Sequence, residues 1–118
     1  MLRLMRMALA GAAVLMTAAC AGMVTGGPLI REGEPIGAID VRNGSGAYVN
    51  VVLISACSAS TYGLNRLPEG SAIPPGGSYR FTVSAGCWDV GAGSTSAMVE
   101  GYQRLTVAPN QATSITFH

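Results

Sequence analysis

The amino-acid sequence predicts an all-β protein, a small single-domain β-sandwich of about six strands. Three observations lead to this fold class. From residue 36 onward, apolar and polar residues alternate in short runs, which is the pattern of strands that bury one face. Short segments rich in Gly, Pro, Asn and Ser separate these runs, and such residues favour tight turns. No apolar stripe with helical spacing follows the first nineteen residues, so two packed sheets are the expected architecture.

The first two predicted strands follow directly after residue 35. In AIDVRN, Ile39 and Val41 alternate with charged residues, and the GSG segment that comes next predicts a turn. The following run, AYVNVVLIS, has apolar residues on both faces. A strand of this kind is expected to be covered on both sides, so the second strand is predicted to be the most buried.

Four further strands are predicted in the second half of the sequence. YRFTVS places Tyr79, Phe81 and Val83 on one face. In the next run, CWDVGA, Trp88 is expected in the core and Asp89 at the surface. The last two strands, YQRLTVA and TSITFH, flank the turn sequence PNQ. The core positions expected in these last two strands are Leu105, Val107, Ile115 and Phe117.

A long segment from Ser58 to Ser78 separates the second and third strands and exceeds the usual length of a hairpin turn. Leu64 and Leu67 lie three residues apart within it. This spacing predicts one helical turn that lies over the open end of the sandwich. In this interpretation the two leucines and Ile73 complete the core.

The same segment contains the candidate partner-binding residues. If its leucines are buried, Tyr62, Asn65 and Arg66 should lie at the surface. Tyrosine and arginine are the residue types that most often anchor protein interfaces, because both offer a large contact area with directional hydrogen bonds. We therefore predict that Tyr62, Asn65 and Arg66 contact a partner.

The first nineteen residues have the layout of an export signal. Arg3 and Arg6 come first, and an uncharged apolar run of thirteen residues extends from Met7 to Ala19. This run is shorter than the roughly 20 residues that a membrane span needs. The sequence MTAAC resembles the lipobox of bacterial lipoproteins, in which a cysteine after small residues receives diacylglycerol before the signal is removed. The resemblance implies that Cys20 is lipidated, and the alternative is an ordinary secretory signal with Cys20 incidental.

These features divide the sequence into three parts. Residues 1–19 are predicted to be a lipoprotein signal peptide, residues 20–35 the lipidated cysteine and a flexible tether, and residues 36–118 the β-sandwich domain. The tether prediction rests on the glycines and prolines of AGMVTGGPLIREGEP and on its lack of hydrophobic periodicity. The alternative is that PLIR adds an edge strand.

The lipoprotein resemblance also implies a location in the bacterial cell envelope. Alanine rather than aspartate follows Cys20, which in similar lipoproteins is compatible with sorting to the outer membrane. We therefore expect a lipid anchor in the outer membrane with the domain facing the periplasm. The outer face of the cytoplasmic membrane is the alternative.

Two cysteines remain within the predicted domain. Cys57 closes the second predicted strand and Cys87 opens the fourth. Export to an oxidising compartment would allow them to pair, so a Cys57 to Cys87 disulfide is predicted. Two buried free thiols are the alternative. With three cysteines in the chain, the expected division is that one takes lipid and two pair with each other.

From Ile73 onward the chain has a PGG turn that leads into a strand, a hairpin with a cysteine near its turn, and a late strand pair closed by a polar turn. In these features this half of the chain resembles PEGA domains and, more loosely, transthyretin-like sandwiches. The resemblance implies a sandwich architecture and says nothing about chemistry, because folds of this kind carry many functions.

Charge and composition argue against several classes of function. All seven basic residues are arginines, and Arg3 and Arg6 belong to the predicted signal, which leaves five arginines against six acidic residues. This balance provides no basic patch for nucleic acid. The single histidine, His118, is the last residue, so the sequence predicts no Ser-His-Asp set, and it contains no metal-ligand spacing. We predict no catalytic residue, no metal site and no cofactor.

These observations together predict a lipid-anchored envelope protein whose sandwich is a non-enzymatic structural or protein-interaction module. Besides the membrane, the expected partner is another protein of the envelope or the cell wall. A sandwich of about eighty ordered residues rarely encloses a pocket, which favours binding through a flat surface. A small-molecule or glycan-binding lipoprotein is the alternative.

Overall fold

The computed structural model describes residues 27–61, 63–95 and 99–118, and over these ranges it contains six β-strands and no helix. The predicted all-β fold is confirmed. The predicted signal peptide and Cys20 lie outside the described residues. None of the segments described here forms a helix long and apolar enough to cross a membrane. The strands are β1 (Ile36–Asn43), β2 (Val51–Ala56), β3 (Ser78–Ser84), β4 (Gly86–Ser94), β5 (Val99–Val107) and β6 (Ala112–Phe117).

The strands form two sheets of three. The first sheet has the order β3-β1-β6, and the second has the order β2-β4-β5. β1 and β6 are parallel, whereas the other three neighbouring pairs are antiparallel. β5 and β6 contact each other across the two sheets, so they form one side of the sandwich. β2 and β3 are the edge strands on the other side.

The core lies between the two sheets and has the period-two pattern that the sequence predicts. Alternate residues point inward, and burial alternates most clearly in β1, whereas β4 also buries the three consecutive residues from Val90 to Ala92. The predicted core positions of β1, β5 and the middle of β6 are confirmed. The buried apolar residues are Ile39, Val41, Val49, Val52, Ile54, Leu67, Ile73, Phe81, Val83, Trp88, Val90, Ala92, Leu105, Val107 and Ile115.

Two predicted core positions are less buried than expected. Tyr79 is 36% exposed, because it lies at the start of the edge strand β3. Its ring packs on that of Phe81, with 4.8 Å between the centroids, and its other side faces solvent. Phe117, the last residue of the edge strand β6, is half-buried. Edge strands lack a neighbour on one side, so alternation alone overestimates the burial of their terminal residues.

Trp88 is fully buried, as predicted, and two polar contacts hold its ring in place. Its indole Nε1 donates a hydrogen bond to the carbonyl oxygen of Ser84 at 2.8 Å. The guanidinium of Arg31 lies over its ring, 4.8 Å from the centroid. The next residue, Asp89, points to the outer face of the sheet, which confirms the predicted alternation.

The described part of the predicted tether, residues 27–35, packs against the domain. The side chain of Leu29 contacts the core, and its carbonyl oxygen accepts a hydrogen bond from the backbone N–H of Ser84 at 2.8 Å. The backbone N–H of Arg31 donates to the Ser84 hydroxyl at 2.7 Å. The segment forms bends rather than the edge strand considered as an alternative. Core contact by Leu29 and hydrogen bonds to Ser84 therefore hold this segment on the domain, while residues 20–26 lie outside the described residues.

The helical turn predicted in the long loop is wrong. The described residues between 58 and 78, which exclude Tyr62, contain no helix. Leu67 and Ile73 are buried as predicted, but Leu64 is 56% exposed. The physical reason is that the chain between the two leucines bonds to the free edge of β2, where the backbone N–H of Arg66 donates to the carbonyl oxygen of Val52 at 2.7 Å.

Candidate functional site

Cys57 and Cys87 form a disulfide, so the predicted pairing is confirmed. Their Cα atoms are 5.5 Å apart, and the backbone N–H of Cys57 bonds to the carbonyl oxygen of Cys87 at 3.3 Å. The bridge joins the neighbouring strands β2 and β4 at the point where one ends and the other begins. We call this end of the sandwich the disulfide end. It also contains the end of β3 and the start of β1.

The pairing bears on Cys20, although Cys20 itself lies outside the described residues. The sequence has three cysteines, and the disulfide uses two of them. Cys57 and Cys87 are therefore not available to pair with Cys20. Its lipidation stays a prediction.

Asn65, one of the predicted partner-binding residues, uses its side chain within the fold. Its Oδ1 accepts hydrogen bonds from the backbone N–H groups of Val52 at 2.9 Å and Leu67 at 3.1 Å. Its Nδ2 donates to the carbonyl oxygen of Asn50 at 2.9 Å. These bonds attach the loop to the free edge of β2. Asparagine is a residue type that often satisfies backbone groups in this way, which is the signal that could have indicated the role from sequence.

Arg66 also serves the fold, because its guanidinium links the edge of β2 to the start of the described chain. Its Nε and Nη2 donate to the carbonyl oxygen of Ile54 at 3.1 and 2.9 Å, and its Nη2 also donates to that of Gly27 at 2.6 Å. The side chain is half-buried, and this burial lowers the pKa of Arg66. Tyr62 lies outside the described residues. A partner contact by Tyr62, Asn65 and Arg66 stays a prediction.

A cleft of about 150 Å³ opens between the edge strands β5 and β6, at the end of the sandwich opposite the disulfide end. Gly101 helps to form it, because a Cβ atom at this position would lie 3.1 Å from the ring of Phe117. The cleft could not be predicted from the types of its residues, because its position depends on where the two sheets separate. Its apolar lining includes Val49, Ala92 and Phe117, and its polar lining includes Ser45, Gln103 and His118.

Exposed tyrosines lie around this end of the sandwich, opposite the disulfide end. Tyr48 precedes the start of β2, Tyr79 is near the start of β3, and Tyr102 is near the start of β5. The ring of Tyr102 covers Gly91 on the neighbouring strand, where a Cβ atom would lie 2.6 Å from the ring. A glycine opposite an aromatic residue thus fixes the position of one exposed ring. We call this end the tyrosine end, defined by Tyr48, Tyr79 and Tyr102.

The charged residues in the middle of the sheets form cross-strand ion pairs on the outer faces. Asp40 accepts two hydrogen bonds from Arg80, at 2.7 and 2.8 Å, and Asp89 accepts two from Arg104, at 2.8 and 3.1 Å. In each pair the arginine lowers the pKa of the carboxyl group, chiefly through these hydrogen bonds. Both pairs lie directly opposite in the strand register, so their geometry is that of structural pairs.

The described residues provide little for metal or acid-base chemistry. Within residues 27–61, 63–95 and 99–118, no group of three or more His, Cys, Asp and Glu side chains is placed to hold a metal ion. His118 lies at the rim of the cleft, where the described lining includes hydroxyl and amide groups. No protein-family model matches the chain, and no curated protein is significantly similar to it.

Proposed function

We propose that this chain is a lipid-anchored protein of the bacterial cell envelope whose β-sandwich is a non-enzymatic structural or protein-interaction module. The observation that carries the proposal is the Cys57 to Cys87 disulfide. Structural disulfides form and persist in oxidising compartments and are rare in the cytosol. A domain with such a bridge is therefore consistent with the export signal in the first nineteen residues.

The anchoring part of the proposal rests on Cys20. This residue follows the apolar run and small residues of the signal, and the disulfide makes Cys57 and Cys87 unavailable to pair with it. Each buried methylene contributes about 0.8 kcal/mol, and stable attachment needs more than one acyl chain. A diacylated cysteine would therefore keep the domain on the membrane. We place the anchor in the outer membrane with the domain in the periplasm, and the outer face of the cytoplasmic membrane is the alternative.

The interaction part of the proposal rests on the tyrosine end. Tyr48, Tyr79 and Tyr102 all keep 36% or more of their surface exposed. Tyrosine is enriched where proteins bind one another, because one side chain combines apolar area with a hydrogen-bonding group. The cleft between β5 and β6 lies at the same end, which gives the surface some relief. The partner is proposed to be another envelope protein.

The anchor is tested with Cys20→Ser in a bacterial host fed a labelled fatty acid. Loss of acyl labelling, together with release from the membrane or retention of the signal, is the expected result. A variant that stays in the membrane fraction with the mass of the wild-type protein would contradict the anchor.

The interaction surface is tested with a photo-crosslinking amino acid at Tyr102 and, as a matched control, at Thr106. Both positions are exposed and lie on the same outer face of β5, but Thr106 is at the disulfide end. Crosslinks to envelope proteins are expected from position 102 and not from position 106. Identical crosslinking patterns from both positions would reject the tyrosine end as the binding surface.

The cleft favours a second candidate, a lipoprotein that binds a small molecule or glycan. Phe117 provides an apolar surface there, and Gln103 and His118 provide hydrogen-bonding groups. Sites for small ligands combine these two kinds of lining, although most are larger than 150 Å³. Native mass spectrometry of protein purified from its own envelope tests this candidate. A ligand that is retained by the wild-type protein and lost in Gln103→Ala would support it.

A further inference from the structure

The start of the described chain is attached firmly to the domain. Arg66 holds the carbonyl oxygen of Gly27 at 2.6 Å, Leu29 packs against the core, and Arg31 lies over the ring of Trp88. Trp88 and the Ser84 groups that bond to this segment belong to the disulfide end. The chain therefore enters the domain on this part of its surface.

The distance from Cys20 to this entry point is short whatever conformation the intervening residues adopt. Gly27 is seven residues beyond Cys20. Seven residues span at most about 25 Å, since an extended chain covers roughly 3.3 to 3.6 Å per residue. A folded domain of about 90 residues has a radius of gyration near 12 Å and therefore a width of about 30 Å. A lipid on Cys20 thus keeps the entry point within less than one domain width of the membrane.

Exposed aliphatic side chains occur in the segments that meet at this entry point. Among the described residues, the exposed large aliphatic side chains are those of Ile30, Ile36 and Leu64. Ile30 lies in residues 27–35, through which the chain enters the domain and which we call the entry segment. Ile36 is the first residue of β1 at the disulfide end. Leu64 is two residues from Arg66, which bonds to Gly27. The exposed aromatic residues in the described part of the chain, in contrast, lie at the tyrosine end.

From this arrangement we infer that the entry surface, which consists of Ile30, Ile36 and Leu64, docks on the lipid bilayer. The inference rests on the proposed lipid anchor at Cys20 and goes beyond it by assigning an orientation. Apolar side chains of peripheral proteins insert by about 5 to 10 Å into the boundary between headgroups and acyl chains, and a short link to a lipid keeps them close to it. The tyrosine end then faces away from the membrane, where a periplasmic partner can reach it.

The inference is tested with the full acylated chain in zwitterionic phosphatidylcholine vesicles, made with or without bromine on the acyl chains. Zwitterionic lipid is chosen because Glu32 lies in the entry segment and an anionic surface would repel it. The reporter variant is Leu64→Trp, and the control is Tyr48→Trp at a similarly exposed position of the tyrosine end. Both variants also contain Trp88, which is fully buried and gives the same background.

Bromine quenches tryptophan that lies at the acyl boundary. We expect brominated vesicles to reduce the added emission of Leu64→Trp by about twofold or more and to leave that of Tyr48→Trp unchanged, given the insertion depth of interfacial side chains. Ile30→Trp is a second reporter, so the result does not depend on one substitution in the long loop. Thermal melting confirms that each variant keeps the fold.

Flotation of the protein with the vesicles is measured in the same samples. Failure to float would overturn the proposed anchor and the orientation that rests on it. Flotation with equal quenching at positions 64 and 48, or with none at either, would overturn the orientation and leave the anchor standing. A blue-shifted Leu64→Trp emission without bromine quenching would mean that protein, from a second copy or a partner, covers this surface, and it would also overturn the orientation.

Discussion

Removal of the disulfide should cost the domain a large fraction of its stability. The bridge joins residues separated by 30 positions. The entropy of closing a loop of this length in the unfolded chain corresponds to about 3.6 kcal/mol at 25 °C. A domain of about 90 residues has a total free energy of unfolding of roughly 5 to 13 kcal/mol. The double variant Cys57→Ser/Cys87→Ser is therefore expected to lose at least a quarter of its stability.

The structure indicates that this loss reflects the crosslink and not core packing. Cys87 is exposed and Cys57 is only half-buried, so serine at either position leaves no cavity in the core. The neighbouring backbone hydrogen bond from Cys57 to Cys87 does not involve the sulfur atoms. A loss of about 3.6 kcal/mol corresponds to a decrease in Tm of about 15 to 30 °C for a domain of this size.

Urea denaturation followed by Trp88 fluorescence measures the effect, because Trp88 is fully buried and belongs to the strand that contains Cys87. Free energies extrapolated to water are compared, since the unbridged chain also exposes more surface on unfolding. Reductant should destabilise the wild-type protein to the same extent and leave the double variant unchanged. A loss of less than about 1 kcal/mol would refute the loop-entropy reasoning for this domain.

Three further predictions concern single side chains. Leu67→Ala should lower the free energy of unfolding by about 2 to 4 kcal/mol, whereas the control Leu64→Ala should change it by less than about 0.5 kcal/mol; equal effects would contradict the assigned burial. Arg66→Ala removes the bond that holds Gly27, so hydrogen exchange of the Arg31 amide, which donates to the Ser84 hydroxyl, should become faster, and unchanged protection would show that the remaining contacts suffice. The pKa of Asp89 is lowered by its arginine partner, so the stabilisation is complete above the unfolded pKa of about 3.9 and disappears as pH falls through the lower folded pKa. Asp89→Asn should therefore cost less than about 1 kcal/mol at pH 7, this cost should decrease as pH falls below about 3.9, and a cost that does not decrease in acid would exclude the ion pair as its cause.

Features that depend on neighbouring residues were predicted correctly from the sequence, whereas a feature that depends on contacts with a distant strand was not. Ile39, Val41 and Val83 follow the period-two pattern and are fully buried, because strand alternation is a local property. Leu64 and Leu67 have helical spacing, but the backbone N–H of Arg66 between them bonds to the carbonyl oxygen of Val52 on the free edge of β2. Hydrogen bonding to a distant strand therefore outweighed a local preference for one helical turn.

The candidate site shows the same division. The disulfide could be predicted, because two cysteines at strand ends in a domain that is predicted to be exported have few other roles. The bonds of Asn65 and Arg66 could not, since their partners lie up to 39 positions away in the sequence. Residue type identified both side chains as capable of directional bonding, but it did not identify what they bond to.

The sequence by itself determined the strands, the buried face of most of them, the fold class and the cysteine pair. Each of these follows from the period of the apolar residues, the residue types in the turns or the number of cysteines, all of which can be read from the sequence. Only the tertiary structure decided that β1 pairs in parallel with β6, that residues 27–31 close on the disulfide end, and that a cleft opens between β5 and β6. These features depend on contacts between residues that are distant in the chain, and no local pattern encodes which distant surfaces will meet.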